Sequence, residues 1–290
     1  MMMTMPDQTE KNTPATAQPT LADLRREIDR IDETMHRLLM ERSEIIETLI
    51  GVKKTQASGS AFRPGREADQ MRRLAERHHG LLPFDTVESI WRVIVSTFTY
   101  VQAPYTVHAD CSIGDEKMRD TARFHFGFTV PYRTHRNAQE VIDAVAASAG
   151  DLGIFPADPG RSGGSWWIPL SGPDSPKIIA RLPFVERPDH PAGTPIYVVS
   201  KPIADATVRE VVLYALGIER WREGLGKALE VHDAHIEASA GDENGLTLLV
   251  AAPGSVSTET LTGAMAGLGV GRFDWTEIGS HAAHFKLPQD

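Results

Sequence analysis

Arg42 stands where an apolar side chain belongs. Leu24, Ile28, Ile31, Met35, Leu38, Ile45, Leu49 and Val52 recur at spacings of three and four, and position 42 is the gap in that stripe. A buried guanidinium without an anion is very costly, so Arg42 requires a negatively charged partner. Lys53 follows further along the same stretch. At 100° per residue the two lie about 20° apart around a helix and about three turns apart along it. Arg25 points about 100° away from Arg42 and, if it serves the same pocket, arrives from a partner chain. Arg63, Arg66 and Glu67 then crowd into one short turn, FRPGRE. Two readings of Arg42 stand: a register device paired with an acid on a neighbouring helix, or part of a cationic pocket. The company of Lys53 and the FRPGRE turn describes a pocket inside a helical bundle, suited to a small polyanion.

The elements that position these groups are helices. Thr20 and Asp23 form a variant capping box, and no proline or glycine interrupts from Leu21 to Ile50. That is a helix of about 45 Å, ending near Thr55 and followed by a loop at Ala57–Ala61. So long an apolar stripe asks for another long helix, from a second chain. A short helix is expected over Arg66–His79. A third is expected from Asp85, capped by that residue with Glu88, with Val87, Ile90, Trp91, Ile94, Phe98 and Val101 as its apolar face. Gln102-Ala103-Pro104 ends it.

Beyond Pro104 the pattern alternates. Strands are expected at Tyr105–His108, Phe128–Tyr132, Leu152–Phe155, Lys177–Arg181, Ile196–Ser200, Leu229–His232, Leu246–Ala251 and Phe273–Ile278. Helices are expected at Glu116–Phe126, Ala138–Ser148, Thr207–Leu216 and Thr258–Leu268. This is the grammar of an α/β domain with a largely parallel sheet. The chain thus reads as a polar, disordered tail over residues 1–19, an all-α domain over 20–103 and an α/β domain over 105–290.

Composition narrows the function. The chain has 290 residues, 41% of them hydrophobic, so it packs cores. Its formal charge of −9 argues against coating nucleic acid. The excess is uneven: residues 1–102 hold 14 basic and 15 acidic side chains, while the rest hold 16 and 24. The first part is therefore near neutral despite its inward cations. One cysteine excludes an intramolecular disulfide and a Cys-rich metal site. No apolar run spans a bilayer, and the start has no secretory signal pattern, so a cytoplasmic protein is expected.

Residues 21–102 resemble the all-helical chorismate mutases. The likeness is carried by LADLRREIDRIDETMHRLLMERSEIIETLIGVKK, FRPGRE and SIWRVIVSTFTYVQ, in the order and spacing of that family. It implies a three-helix domain in an intertwined homodimer that rearranges chorismate to prephenate, with neither metal nor redox cofactor. Residue by residue it implies that Arg25 reaches a substrate carboxylate across the dimer and that Arg42 holds a carboxylate within its own chain. Lys53 and Gln102 would face the ether oxygen, Arg66 would bind substrate, and Glu67 would contact the substrate hydroxyl. Phe98 and Arg63 depart from the family, which affects pocket size and fine specificity rather than the reaction.

Stretches of the second part, RDTARFHFGFTVPY and AQEVIDAVAASAGDLGIFPA, resemble a degenerate prephenate dehydratase domain. That family has a two-lobed α/β fold like the periplasmic binding proteins. Where its Thr-Arg-Phe motif belongs, this chain has Thr194-Pro195-Ile196, and the glycine-rich opening is missing. The departures imply no dehydratase activity and leave ligand sensing or a structural role. No clear amino-acid-sensing module follows. Gly267, Gly269 and Gly271 come after a helix and before a strand, the wrong order for a dinucleotide loop. His78, His79, His232, His235, His281 and His284 lack metal-site companions. Trp166 and Trp167 read as core or lobe interface, and Cys111 as a structural thiol. Two other readings remain: a bifunctional mutase–dehydratase, and a non-catalytic, ligand-sensing dimer.

Overall fold

A computed structural model describes residues 18–53, 60–112, 114–157, 164–203, 208–242 and 245–287. Residues 1–17 of the tail expected over 1–19 and most of the Ala57–Ala61 loop lie outside the described residues, as does the start of the helix expected at Thr207. The chain divides into two compact units, residues 1–49 and 50–290.

The first unit is essentially one helix, α1 (Leu21–Lys53), whose last turn leads into the second. Its capping box forms as the sequence predicts. The Thr20 amide donates to Asp23 Oδ2 at 3.0 Å, and the Asp23 amide to Thr20 Oγ1 at 3.2 Å. Arg30 and Glu27 make an ion pair of 2.6 Å along the surface, where solvent screens it and it adds little. Leu24, Ile28, Ile31, Met35, Leu38 and Ile45 are all exposed.

In the second unit, α2 (Pro64–Arg77) starts at a proline whose fixed φ suits a first helical turn. The third helix, α3 (Phe84–Gln102), corrects two expectations. Its N-cap is Pro83 with no side-chain cap, so Asp85 lies inside the first turn instead of capping it. Its buried face carries Val87, Glu88, Arg92, Val95, Ser96 and Thr99, while Ile90, Val93 and Val101 are exposed. The helix therefore turns a polar stripe inward and much of its apolar stripe outward.

Strands β1 (Val107–Asp110), β2 (Tyr132–His135) and β3 (Leu152–Pro156) are joined by helices α4 (Asp115–Phe126) and α5 (Ala138–Ala147). They pair parallel in the order β2-β1-β3. Strands β4 (Lys177–Leu182), β5 (Val185–Glu186) and β6 (Ile196–Ser200) follow, and β6 runs antiparallel to both β3 and β4. Next come β7 (Val211–Ile218), α6 (Leu225–Glu230), β8 (His235–Asp242), β9 (Gly245–Pro253), α7 (Thr258–Met265), β10 (Phe273–His281) and β11 (Phe285–Lys286). The main sheet has nine strands in the order β2-β1-β3-β6-β4-β10-β7-β9-β8, and β5 pairs with β11. It is mixed rather than largely parallel, because only β2-β1-β3 and β4-β10 run parallel. The second half, β7-α6-β8-β9-α7-β10 with sheet order β10-β7-β9-β8, is a ferredoxin-like βαββαβ unit. Two elements are thereby corrected: the helix expected over Thr207–Leu216 is strand β7, and the strand expected at Leu229–His232 begins as α6.

Side chains alternate between two faces. Leu152, Ile154, Leu182, Ile196 and Val198 pack under α2, α3 and α4 with Phe62, Met71, Leu74 and Met118. Phe155, Ile178, Tyr197 and Val199 point the other way, with α5, Trp166 and Trp167, and this core continues onto β7, β9 and β10. Side chains of α6 and α7 close the remaining face of the second half. α5 sits so close that a Cβ on Gly153 would lie 2.7 Å from Val141 Cγ1. The packing of α2 and α3 is thus shared with the sheet, across the change of sequence pattern at Pro104.

Candidate functional site

The two units hold different members of the expected residue set. On α1, Arg25 is exposed and Arg42 is half-buried. Lys53 is the last residue of α1, and the position of its side chain lies outside what is described. In the second unit, Arg66 and Glu67 occupy the first turn of α2, and Gln102 closes α3.

Arg66 is exposed while Glu67, beside it, is buried. Glu67 Oε2 accepts from Arg92 Nη1 at 2.6 Å, and both side chains are almost fully enclosed. Arg92 also donates through Nε and Nη2 to the His125 carbonyl, at 3.2 and 2.9 Å, and lies over the Phe184 ring. One guanidinium thus ties α2 to α3 and α4. Burial pushes the Glu67 carboxyl above its usual range, against the opposing pull of Arg92. Tyr105 lies within reach of this charge: burial first, and Glu67 second, push its phenol up, and its hydroxyl has no hydrogen-bond partner among the described residues.

Arg63, at the N-cap of α2, donates to the carbonyls of Ser60 and Phe62 at 2.8 and 3.0 Å. It braces the turn that presents Arg66 and Glu67. At the far end of α3, Gln102 Nε2 donates to the Phe98 carbonyl at 3.0 Å, and both residues are half-buried.

A second buried charge network anchors the start of α3. Glu88 Oε2 accepts from Arg187 at 2.6 Å and faces His190 Nε2 at 3.1 Å; Arg187 also pairs with Asp85 at 2.5 Å. Sequence reasoning missed Arg92 and Glu88 as buried charges. The signal was present: Glu88, Arg92, Ser96 and Thr99 follow helical spacing as a polar stripe. Among the described residues, no group of three or more His, Cys, Asp or Glu could hold a metal ion. No helix among them is long and apolar enough to cross a membrane.

Chemically, α1 and α2 offer arginines for carboxylates, α2 a carboxylate held by its own guanidinium, and α3 a terminal amide. Residues 24–103 match the family model for chorismate mutase type II. The chain is similar to the bifunctional chorismate mutase/prephenate dehydratases of Aquifex aeolicus and Pseudomonas aeruginosa. Identity is 28% and 30%, over 48% and 50% of this chain and 39% and 41% of those proteins. The corresponding protein of Neisseria gonorrhoeae is 34% identical over 29% of the chain and 22% of its own length. The chain thus spans about two fifths of the first two relatives. Among solved structures, prephenate dehydratase from Streptococcus mutans covers 63% of this chain and 100% of its own, with 14% identity and a TM-score of 0.40.

Proposed function

We propose that the protein is a homodimeric chorismate mutase, converting chorismate to prephenate in aromatic amino acid biosynthesis. The observation that carries this reading is the family match over 24–103, which falls on the segment where Arg25, Arg42, Lys53, Arg66, Glu67 and Gln102 follow in order. The reaction is a pericyclic rearrangement, so it calls for no nucleophile. Its barrier is largely one of orientation: the substrate's side chain must be folded over its ring. Arg42, Arg66 and the partner subunit's Arg25 grip the two carboxylates, guanidinium planes matching carboxylate geometry. As the C–O bond breaks, charge grows on the ether oxygen, and Lys53 and Gln102 meet it there. Glu67 contacts the substrate hydroxyl, its carboxylate fixed in direction by Arg92. The exposed stripe on α1 supports the dimer, since a second copy of this helix would cover it. We place the protein in the cytoplasm and read the β1–β6 half as a remnant of a periplasmic-binding-protein-like dehydratase fold.

A second reading, mutase plus dehydratase, is favoured by the bifunctional relatives and opposed by Thr194-Pro195-Ile196. Incubating the purified chain with chorismate decides. Prephenate alone supports the first reading and phenylpyruvate the second; no turnover removes both.

A further inference from the structure

A cavity of ≈ 470 Å³ opens beside the end of β4, lined by Arg181, Pro183, Glu186, Asp189, Pro195 and His284 among others. Two of its walls carry buried polar atoms without partners. Arg181 Nε and His284 Nε2 make no hydrogen bond among the described residues. Arg187 and His190, also at this cavity, have partners elsewhere: Arg187 donates to Asp85 and Glu88, and His190 contacts Glu88 and accepts from the Ala192 amide. No ion pair of Arg181 is found among the described residues; its guanidinium lies over the Tyr197 ring at 5.7 Å.

His281 and His284 stand nearby, with ring centres 5.9 Å apart. Burial pushes them down to about 4 and about 3, with Arg181 adding to the effect. At neutral pH both are uncharged, leaving Arg181 an unneutralised cation. A partly desolvated guanidinium without an ion pair is costly unless an anion reaches it. The volume is that of a metabolite site rather than of a single ion. Pro183, Ala192 and Pro195 supply apolar lining, and the exposed Glu186 and Asp189 stand at the same cavity.

We propose that this cavity binds a small organic monocarboxylate, its carboxylate on Arg181 and His284 and its apolar body against Pro183 and Pro195. The acids Glu186 and Asp189 repel a second negative charge, so dianions are excluded. The site is separate from the residues proposed for the mutase reaction.

The test is isothermal titration of the full chain at pH 7 with benzoate and butyrate, against inorganic phosphate and malonate. Benzoate is expected to saturate one site per chain. Arg181→Gln, with unchanged circular dichroism, weakens it at least tenfold, and Glu186→Gln tightens it about threefold. Arg42→Ala leaves it within twofold. The proposal is overturned by non-saturable benzoate heats, by wild-type affinity in Arg181→Gln, or by phosphate or malonate binding as tightly as benzoate. Loss of binding in Arg42→Ala assigns the heat to the helical pocket and overturns it too. If Arg181→Gln fails to fold, Glu186→Gln decides alone: unchanged or weaker affinity refutes the site.

Discussion

In the proposed function Glu67 is one carboxylate with two tasks, packing and substrate contact. Its partner Arg92 is buried with it, and removing one member of such a pair leaves an uncompensated charge, costing about 3–5 kcal/mol. Arg92→Met is therefore expected to lower unfolding stability by that amount in urea melts. The double variant Arg92→Met/Glu67→Met should recover much of the loss; no recovery would show that the pair is not the cause. Lys53→Ala carries the opposite signature. Loss of a donor to the developing ether charge costs about 3–4 kcal/mol of barrier, so turnover of chorismate should fall about a hundredfold or more with an unchanged melting curve. Near-normal turnover there removes Lys53 from the mechanism. At this scale the groups proposed to face the substrate rest on the pattern and resemblance of the sequence. The sequence did not name Arg92, because an arginine between Trp91 and Val93 looks the same from sequence whether it faces water or a carboxylate.

Among the elements, α1 and α3 each carry exposed apolar side chains, Ile28, Ile31, Met35 and Leu38 on one and Ile90, Val93 and Val101 on the other. A dimer through α1 is the expected consequence. Ile31→Asp or Leu38→Asp should shift the species seen in sedimentation velocity from dimer to monomer and abolish turnover if Arg25 crosses the interface. A variant that stays dimeric removes that arrangement. The helices over 21–102 were legible because their periods are long and their breaks sharp, at Thr20, Pro83 and Pro104. Val211–Ile218 was not: VVLYALGI is apolar on both faces, since β7 is covered on both, and such a run has no period to separate strand from helix. The short α6 failed for the converse reason, with six residues too few to show a repeat. The inward polar stripe of α3 misled in a third way. Hydrophobicity marked the face that points outward, while the inward one is held by Glu88 and Arg92.

For the molecule as a whole, acid is the natural stress. His281 and His284 titrate near 4 and 3 when folded, and His125, fully enclosed, is also held well below its ordinary value, chiefly by burial. Unfolded, each takes up a proton near pH 6.5. Between those values the unfolded chain binds more protons, so stability rises with pH through this window and is lost as pH falls below about 6.5. Melting temperatures at pH 7, 5.5 and 4.5 should decline in that order, and His281→Asn should flatten the decline. A profile independent of pH over that range would remove the histidines as its source.

The two halves of the nine-stranded sheet meet at β4 and β10, through one parallel register pair, Gly279 with Ile178. A Cβ on Gly279 would fall 2.1 Å from the Ile178 carbonyl oxygen, and its φ of +147° lies where side chains rarely go. The strand that makes this seam comes from residues 273–281, near the end of the described chain. During synthesis the edges of β4 and β7 that β10 joins must therefore stay open until β10 leaves the ribosome. Unpaired edges of this kind recruit other chains, so the newly made chain is most prone to aggregate in the interval after β7 has emerged and before β10 has.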